Sequence, residues 1–234
     1  MNKEEFIKEL SKMNIDISNN QIHKLNTYAN LLISENKKYN LTAILDEESI
    51  YLKHFYDSIT LNKIIELKEQ KLCDLGTGAG FPGIVLKIIF PNLKISLIDA
   101  TSKKCEFLKM VIKELKLENI EVINTRIEDY AISNREKFDI VTARAVAPLK
   151  HLLEYGIPLV KVNGNFIAMK ANLKEEECIN IENYYKKLNI KLDKIISFNL
   201  PKELSTRTLI KYQKLETTNK KYPRKYNEIK KRDI

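Results

Sequence analysis

Apolar residues recur at three- and four-residue spacing through the first third of the chain. Ile22, Leu25, Ala29, Leu32 and Ile33 follow Ser18, a side chain suited to capping a helix N-terminus. Beyond the loop around Asp46, a second periodic stretch carries Ile50, His54, Phe55, Ile59, Ile64 and Ile65. No glycine precedes Gly76, which suits helices and suits strand turns poorly. The spacing predicts a helical N-terminal cap over residues 1–68.

From Lys71 the rhythm changes. Short apolar runs fall at 71–75, 94–100, 119–125, 138–145 and 164–170. Helical patterns at 84–90, 103–117 and 149–160, and a short turn near Glu128, separate them. Such alternation builds βαβ units and a parallel sheet. A helix over 175–188 then leads to two strand-like runs, 190–200 and 205–215, close enough to pair as a hairpin. The expected core, residues 69–217, is therefore α/β and Rossmann-like, with seven strands, mostly parallel, and an antiparallel last strand. Residues 218–234 are polar and basic and read as a surface tail.

Composition narrows the class. Hydrophobic residues make up 44% and charged residues 30% of 234, an ordinary balance for a soluble globular protein. No apolar window is long enough to cross a bilayer, and the charged N-terminus has no leader-like apolar stretch. Cys73, Cys105 and Cys178 are odd in number and lack metal-ligand spacing. A reduced, cytoplasmic protein without a metal is expected. The net charge of +9 suits a polyanionic partner, although a lysine-rich composition alone also produces it. More telling is the tail, with seven Lys/Arg against Glu228 and Asp233, and with Tyr222 and Tyr226 interleaved. Such a mixture can hold phosphates and stack on unpaired bases.

Four of the six glycines fall in Asp74-Leu-Gly-Thr-Gly-Ala-Gly-Phe-Pro-Gly83, directly after the first strand. Glycine there permits positive φ and lets a ligand approach the backbone. Gly78, Gly80 and Gly83 satisfy G-x-G-x-x-G, the dinucleotide pattern. Gly76, Gly78 and Gly80 satisfy the G-x-G-x-G usual in methyltransferases. Asp99, ending the second strand, suits ribose hydroxyls in either case. Asp74 tips the reading toward S-adenosylmethionine, because a carboxylate at the strand tip fits a cationic methionine end and not a pyrophosphate. Thr77 and Ala100 join these positions as cofactor candidates. Lys103 and Lys104 read as a solvated helix face.

DLGTGAGFPG, LIDA (97–100), KK-x3-L (103–108), TARAVAPL (142–149) and KYPRK (221–225), with Asn40-Leu-Thr42 and His54-Phe-Tyr-Asp-Ser58, resemble one family along essentially the whole chain. It is the bacterial small-subunit ribosomal RNA guanine-N7 methyltransferase family, once known as glucose-inhibited division protein B. The resemblance implies a class I methyltransferase fold, S-adenosylmethionine as cofactor, and a 16S ribosomal RNA guanosine as methyl acceptor. By position it implies cofactor contacts at Gly76, Phe81, Ile127, Glu128 and Arg144. The tail departs from the family pattern, with Asn227, Ile229 and Asp233 where a glycine and two prolines are usual; Asn227 could keep a left-handed turn.

Guanine N7 carries an exposed lone pair, so no general base and no covalent nucleophile is expected. The sequence has no Pro-Cys pair and no Asn/Asp-Pro-Pro-aromatic motif; after the fourth strand stands Arg144-Ala-Val-Ala-Pro148. Alignment and electrostatics must carry the reaction. Candidates for holding the RNA are Asn40, His54, Asp57, Ser58, Lys170, Arg207, Tyr222 and Arg224. His54 also reads as a core histidine, and Asp57 and Ser58 as a buttress of the first strand. A monomer acting on the small ribosomal subunit is expected. The competing readings are a methyltransferase for another RNA, a protein or a small molecule, an NAD(P)-dependent oxidoreductase, and a non-catalytic RNA-binding module.

Overall fold

The computed structural model of the chain describes residues 1–171, 181–203 and 205–234. Cys178 and the start of the helix expected over 175–188 lie outside the described residues; the rest of that helix is α9 (Ile181–Leu188). The N-terminal segment holds α1 (Lys3–Ser11) and α2 (Asn19–Tyr39). Ser18 caps α2 in a reciprocal box with Gln21. Its buried face is Leu25, Tyr28, Ala29 and Leu32, whereas Ile33, expected on that stripe, is 37% exposed. The 3.6-residue period favours Tyr28 over Ile33 for the inward position.

Residues 47–63 form one continuous helical run. In it α3 (Glu47–Ser49) passes into a π-helical stretch, Ile50–Tyr56, then α4 (Asp57–Ile59) and a 3-10 turn, Thr60–Lys63. Just after the widened stretch, the Ser58 and Thr60 hydroxyls donate to the carbonyls of His54 and Asp57, both at 2.5 Å.

The seven strands are β1 (Lys71–Leu75), β2 (Lys94–Asp99), β3 (Ile120–Asn124), β4 (Phe138–Arg144), β5 (Val160–Lys170), β6 (Ile190–Asn199) and β7 (Thr206–Lys214). Their order is β3-β2-β1-β4-β5-β7-β6. The first five run parallel, and β7 enters antiparallel between β5 and β6. The expected hairpin therefore forms, with its second strand inserted into the sheet. Leu72 to Leu75 are buried on both faces, as a central parallel strand requires.

Two apolar layers cover the sheet. On one face α5 (Gly83–Ile89) and α6 (Ser102–Glu114) pack with the N-terminal helices; on the other lie α7 (Ile127–Ser133), α8 (Leu149–Gly156) and α9. Strand order reverses between β1 and β4, and a crevice opens there beyond their C-terminal ends.

The C-terminal segment corrects the expected surface tail. Tyr222 is 3% and Ile229 2% exposed, and α10 (Tyr226–Lys231) closes the chain. The Arg135 guanidinium donates to the carbonyls of Thr218, Asn219 and Tyr222. Arg224 forms a two-point pair with fully buried Glu154 of α8, at 2.8 and 2.7 Å. Asn227 lies inside α10 and makes no left-handed turn. With Ile229 in place of a family proline, a helix can form and bury an apolar side chain.

Candidate active site

The glycine loop is fixed from beneath by Asp74. Its Oδ2 accepts from Thr77 Oγ1 (2.6 Å) and from the Gly83 amide (2.8 Å), while its Oδ1 is buried without a hydrogen-bond partner. Burial pushes the Asp74 carboxyl up to about 7, against the pull of those two donors. On the neighbouring strand Asp99 accepts from the Gly78 amide (2.9 Å) and the Thr101 amide (2.8 Å), one on each oxygen. Each oxygen retains lone-pair capacity for a ligand hydroxyl.

The structure sorts the four glycines by role. At Gly80 a Cβ would meet the Tyr28 hydroxyl at 2.6 Å, and at Gly83 it would meet Leu97 at 2.2 Å, so both allow close packing beneath the loop. Gly78 (φ +62) faces open space, its nearest neighbour the Gly76 carbonyl at 4.0 Å. A Cβ there would project into the cradle. Gly76 (φ +62) lies under Val146, 2.8 Å from the position a Cβ would take. An open glycine cradle, an orphaned buried carboxylate oxygen and a second carboxylate one strand away fit a nucleoside bearing a cationic tail.

Beside the loop is a cavity of about 410 Å³, lined by residues of the N-terminal segment, the glycine loop, β4, β5 and β7. Five cations border it, Lys53, Lys104, Arg144, Lys170 and Arg207, against one lining carboxylate, Asp57. Lys104, half-buried at the start of α6, lines the crevice, while Lys103 beside it is exposed. Asp57 is buried and shared: Oδ2 accepts from Arg144 at 3.1 Å and Oδ1 from Arg207 at 3.2 Å. It therefore orients two arginines and does not buttress the first strand.

His54 stacks on Phe81, with centroids 4.3 Å apart, and Arg144 lies 5.1 Å from the same ring. Arg144 faces His54 Nδ1 at 3.5 Å, which puts the imidazole proton on Nε2, toward Thr42 Oγ1 at 2.9 Å. Burial, then the Arg144 charge, holds the His54 pKa down to about 3, so the ring is neutral at physiological pH. The Thr42 turn is itself organised by Asn36, whose side-chain Oδ1 accepts from the Leu41 and Thr42 amides.

The remaining candidates divide. Lys170 lines the cavity and donates to the Ala147 carbonyl at 3.2 Å. Asn40 is the exposed left-handed C-cap of α2, next to Leu41 and Thr42 of the cavity wall. Ser58 is fully buried and bonded to its own helix, away from any ligand. Tyr222 and Arg224 are taken up in anchoring the tail, so neither presents a free face to RNA. Ala100 is exposed after β2; Ile127 and Glu128 open α7, with Glu128 8% exposed.

Sequence reasoning missed Tyr28, whose hydroxyl donates to the Ala79 carbonyl in the glycine loop and whose ring lies 5.5 Å from Phe81. Its place on the α2 stripe was readable; its partner, 51 residues on, was not. Val146 and Lys53 were missed as well, for they reach the site through loop and helix geometry alone.

The family model for rRNA small subunit methyltransferase G (GidB) matches residues 21–207. Proteins named ribosomal RNA small subunit methyltransferase G are similar over nearly the whole length. That of Lysinibacillus sphaericus is 43% identical, covering 96% of each chain, and that of Acetivibrio thermocellus 46%, covering 94% of this chain and 91% of that one. Among solved structures, M. jannaschii TYW2 in complex with AdoMet aligns with a TM-score of 0.55 at 18% identity, over 68% of this chain and 77% of that one. A SAM-dependent methyltransferase from Aquifex aeolicus aligns at 0.53 and 14%, over 71% and 93%. These two likenesses establish the class I methyltransferase fold. The match over most of the sequence goes further: this chain belongs to the rRNA small subunit methyltransferase G (GidB) family.

Proposed function

We propose that the chain transfers the methyl group of S-adenosylmethionine to N7 of a guanosine in 16S ribosomal RNA. The observation that carries the reading is the junction of two sites within one crevice. A glycine cradle between two carboxylates adjoins a cavity whose border holds five cations and one acid. The first suits a nucleoside cofactor, and the second suits a polyanion that must reach it. Membership of a family named for small-subunit rRNA methylation supports the acceptor.

S-adenosylmethionine, when bound, supplies an electrophilic methyl group on sulfur. The chain's own residues position both partners. The Gly76–Gly78 backbone would admit the nucleoside, Asp99 would hold its ribose hydroxyls, and the buried carboxylate of Asp74 beneath the loop would favour its cationic end. The opening of α7, Ile127 and Glu128, reads the adenine edge. Arg207, Lys53 and Lys170 hold RNA phosphate, while Arg144, Phe81 and neutral His54 wall the space between. With cofactor and guanosine both bound, the N7 lone pair would take the methyl carbon as its bond to sulfur breaks, with S-adenosylhomocysteine as the leaving group. Positive charge moves from sulfur to the base and no proton is removed. A histidine held at about 3 agrees with chemistry that asks for no base.

Labelled S-adenosylmethionine tests this with 30S particles from cells lacking the protein, beside a panel of small metabolites. One labelled guanosine in 16S ribosomal RNA, with cleavage chemistry characteristic of N7 methylation, is the expected result. Label in a metabolite, or at another atom, overturns the proposal.

A further inference from the structure

The docked tail meets the far end of the cofactor site. The start of α7 lies beside β2, since the Thr125 amide and the Asn124 side chain donate to the Asp99 carbonyl at 3.1 and 3.0 Å. Yet α7 has no side-chain cap: its N-cap residue is Arg126, a cation at a helix end that favours negative charge. The Glu128 side chain, on the first turn, has no hydrogen-bond or ion-pair partner among the described residues. Glu128 and Asp129 suit the positive end of the helix, so the unfavourable charge at this turn is that of Arg126 itself.

The C-terminal segment supplies what is missing. Tyr226, the first residue of α10, places its ring 5.5 Å from the Arg126 guanidinium carbon, and Lys230 one turn on lies 5.0 Å from the same ring. Two residues earlier, Arg224 grips buried Glu154, next in sequence to Tyr155. Burial first, then the Glu128 and Tyr226 charges, pushes the Tyr155 hydroxyl up to about 12. The chain end is thus tied at Glu154 and leans on Arg126 across one turn of backbone.

We propose that this C-terminal segment braces the adenine-reading turn of the cofactor site, with Tyr226 as a positioning residue acting through Arg126. The ligand class is an adenine nucleoside, and the proposal rests on the reading of Ile127–Glu128 as its base contact. It reassigns an aromatic residue of the basic tail from RNA stacking to cofactor affinity.

Full-length variants separate these roles by calorimetry with S-adenosylhomocysteine and by 30S binding. Because the Tyr226 ring is 38% exposed, its replacement leaves the core intact, which the melting temperature verifies. Tyr226→Ala should weaken S-adenosylhomocysteine binding about threefold, the range of one cation–π contact. Tyr226→Phe, which keeps the ring face, should restore it. Arg126→Gln should weaken binding to a similar degree, and the double variant no further, as expected for residues in series. Neutralising Lys220, Lys221 and Lys231 should leave nucleoside affinity unchanged. Wild-type affinity in Tyr226→Ala, or additive losses in the double variant, overturns the brace while leaving the cofactor assignment in place. Failure of the wild-type chain to bind the nucleoside removes both.

Discussion

Single residues in the glycine loop carry different burdens despite their common type. At Gly76, φ is +62 and Val146 occupies the space a side chain would need. A valine there adds about 1–3 kcal/mol of backbone strain and a collision with the β4–α8 loop. Gly76→Val should therefore lose measurable S-adenosylhomocysteine binding while still associating with 30S particles; unchanged nucleoside affinity would refute the cradle. Asp74 gives a pH signature. Its carboxyl lies at about 7 through burial, and a cation brought beside it favours the ionised form. Nucleoside affinity should rise from roughly pH 6 to 8 and then level off, with Asp74→Asn flattening the curve. Stability runs the other way. The unfolded carboxyl ionises near about 4, so the folded state loses stability as pH climbs from there to about 7.

At the scale of elements, the sheet was legible almost residue by residue. The run at 71–75 is β1, and the other strand-like runs differ from the observed strands by one residue at their ends, apart from β5, which starts four residues early. Short apolar runs separated by helical patterns are local signals, and the chain states them locally. The π-helical winding over Ile50–Tyr56 was not legible, because the spacing of apolar residues does not distinguish it from an α-helix. Neither was the tail: charge density suggested solvent, but Tyr222 and Arg224 find partners 70 or more residues away in Arg135 and Glu154, and Ile229 is buried. The same limit hid the purpose of Asp57. Replacing it with alanine strands two largely buried guanidiniums and should lower stability by about 3 kcal/mol in denaturant titrations. A loss below about 1 kcal/mol would mean that solvent already screens the pair.

Over the whole molecule, charge is organised more than it is abundant. The excess of +9 is spread across many exposed lysines, yet five cations converge on one cavity of about 410 Å³. Affinity for 30S particles should therefore fall steeply with salt, and Arg207→Gln should reduce the logarithmic salt slope by about one. Its S-adenosylhomocysteine affinity should stay at the wild-type value; a shift there instead would move Arg207 to the cofactor side.

The shared carboxylate of Asp57 has a further consequence for how this enzyme can be divided. It sits on a helix of the N-terminal segment but anchors arginines from β4 and β7, and Thr42 and His54 from the same segment finish that wall. A fragment starting at the first strand would lose the helices that cover α5 and α6 and, with them, one side of its reaction chamber. The border between cap and sheet is thus a seam in the sequence that runs through the middle of the chemistry.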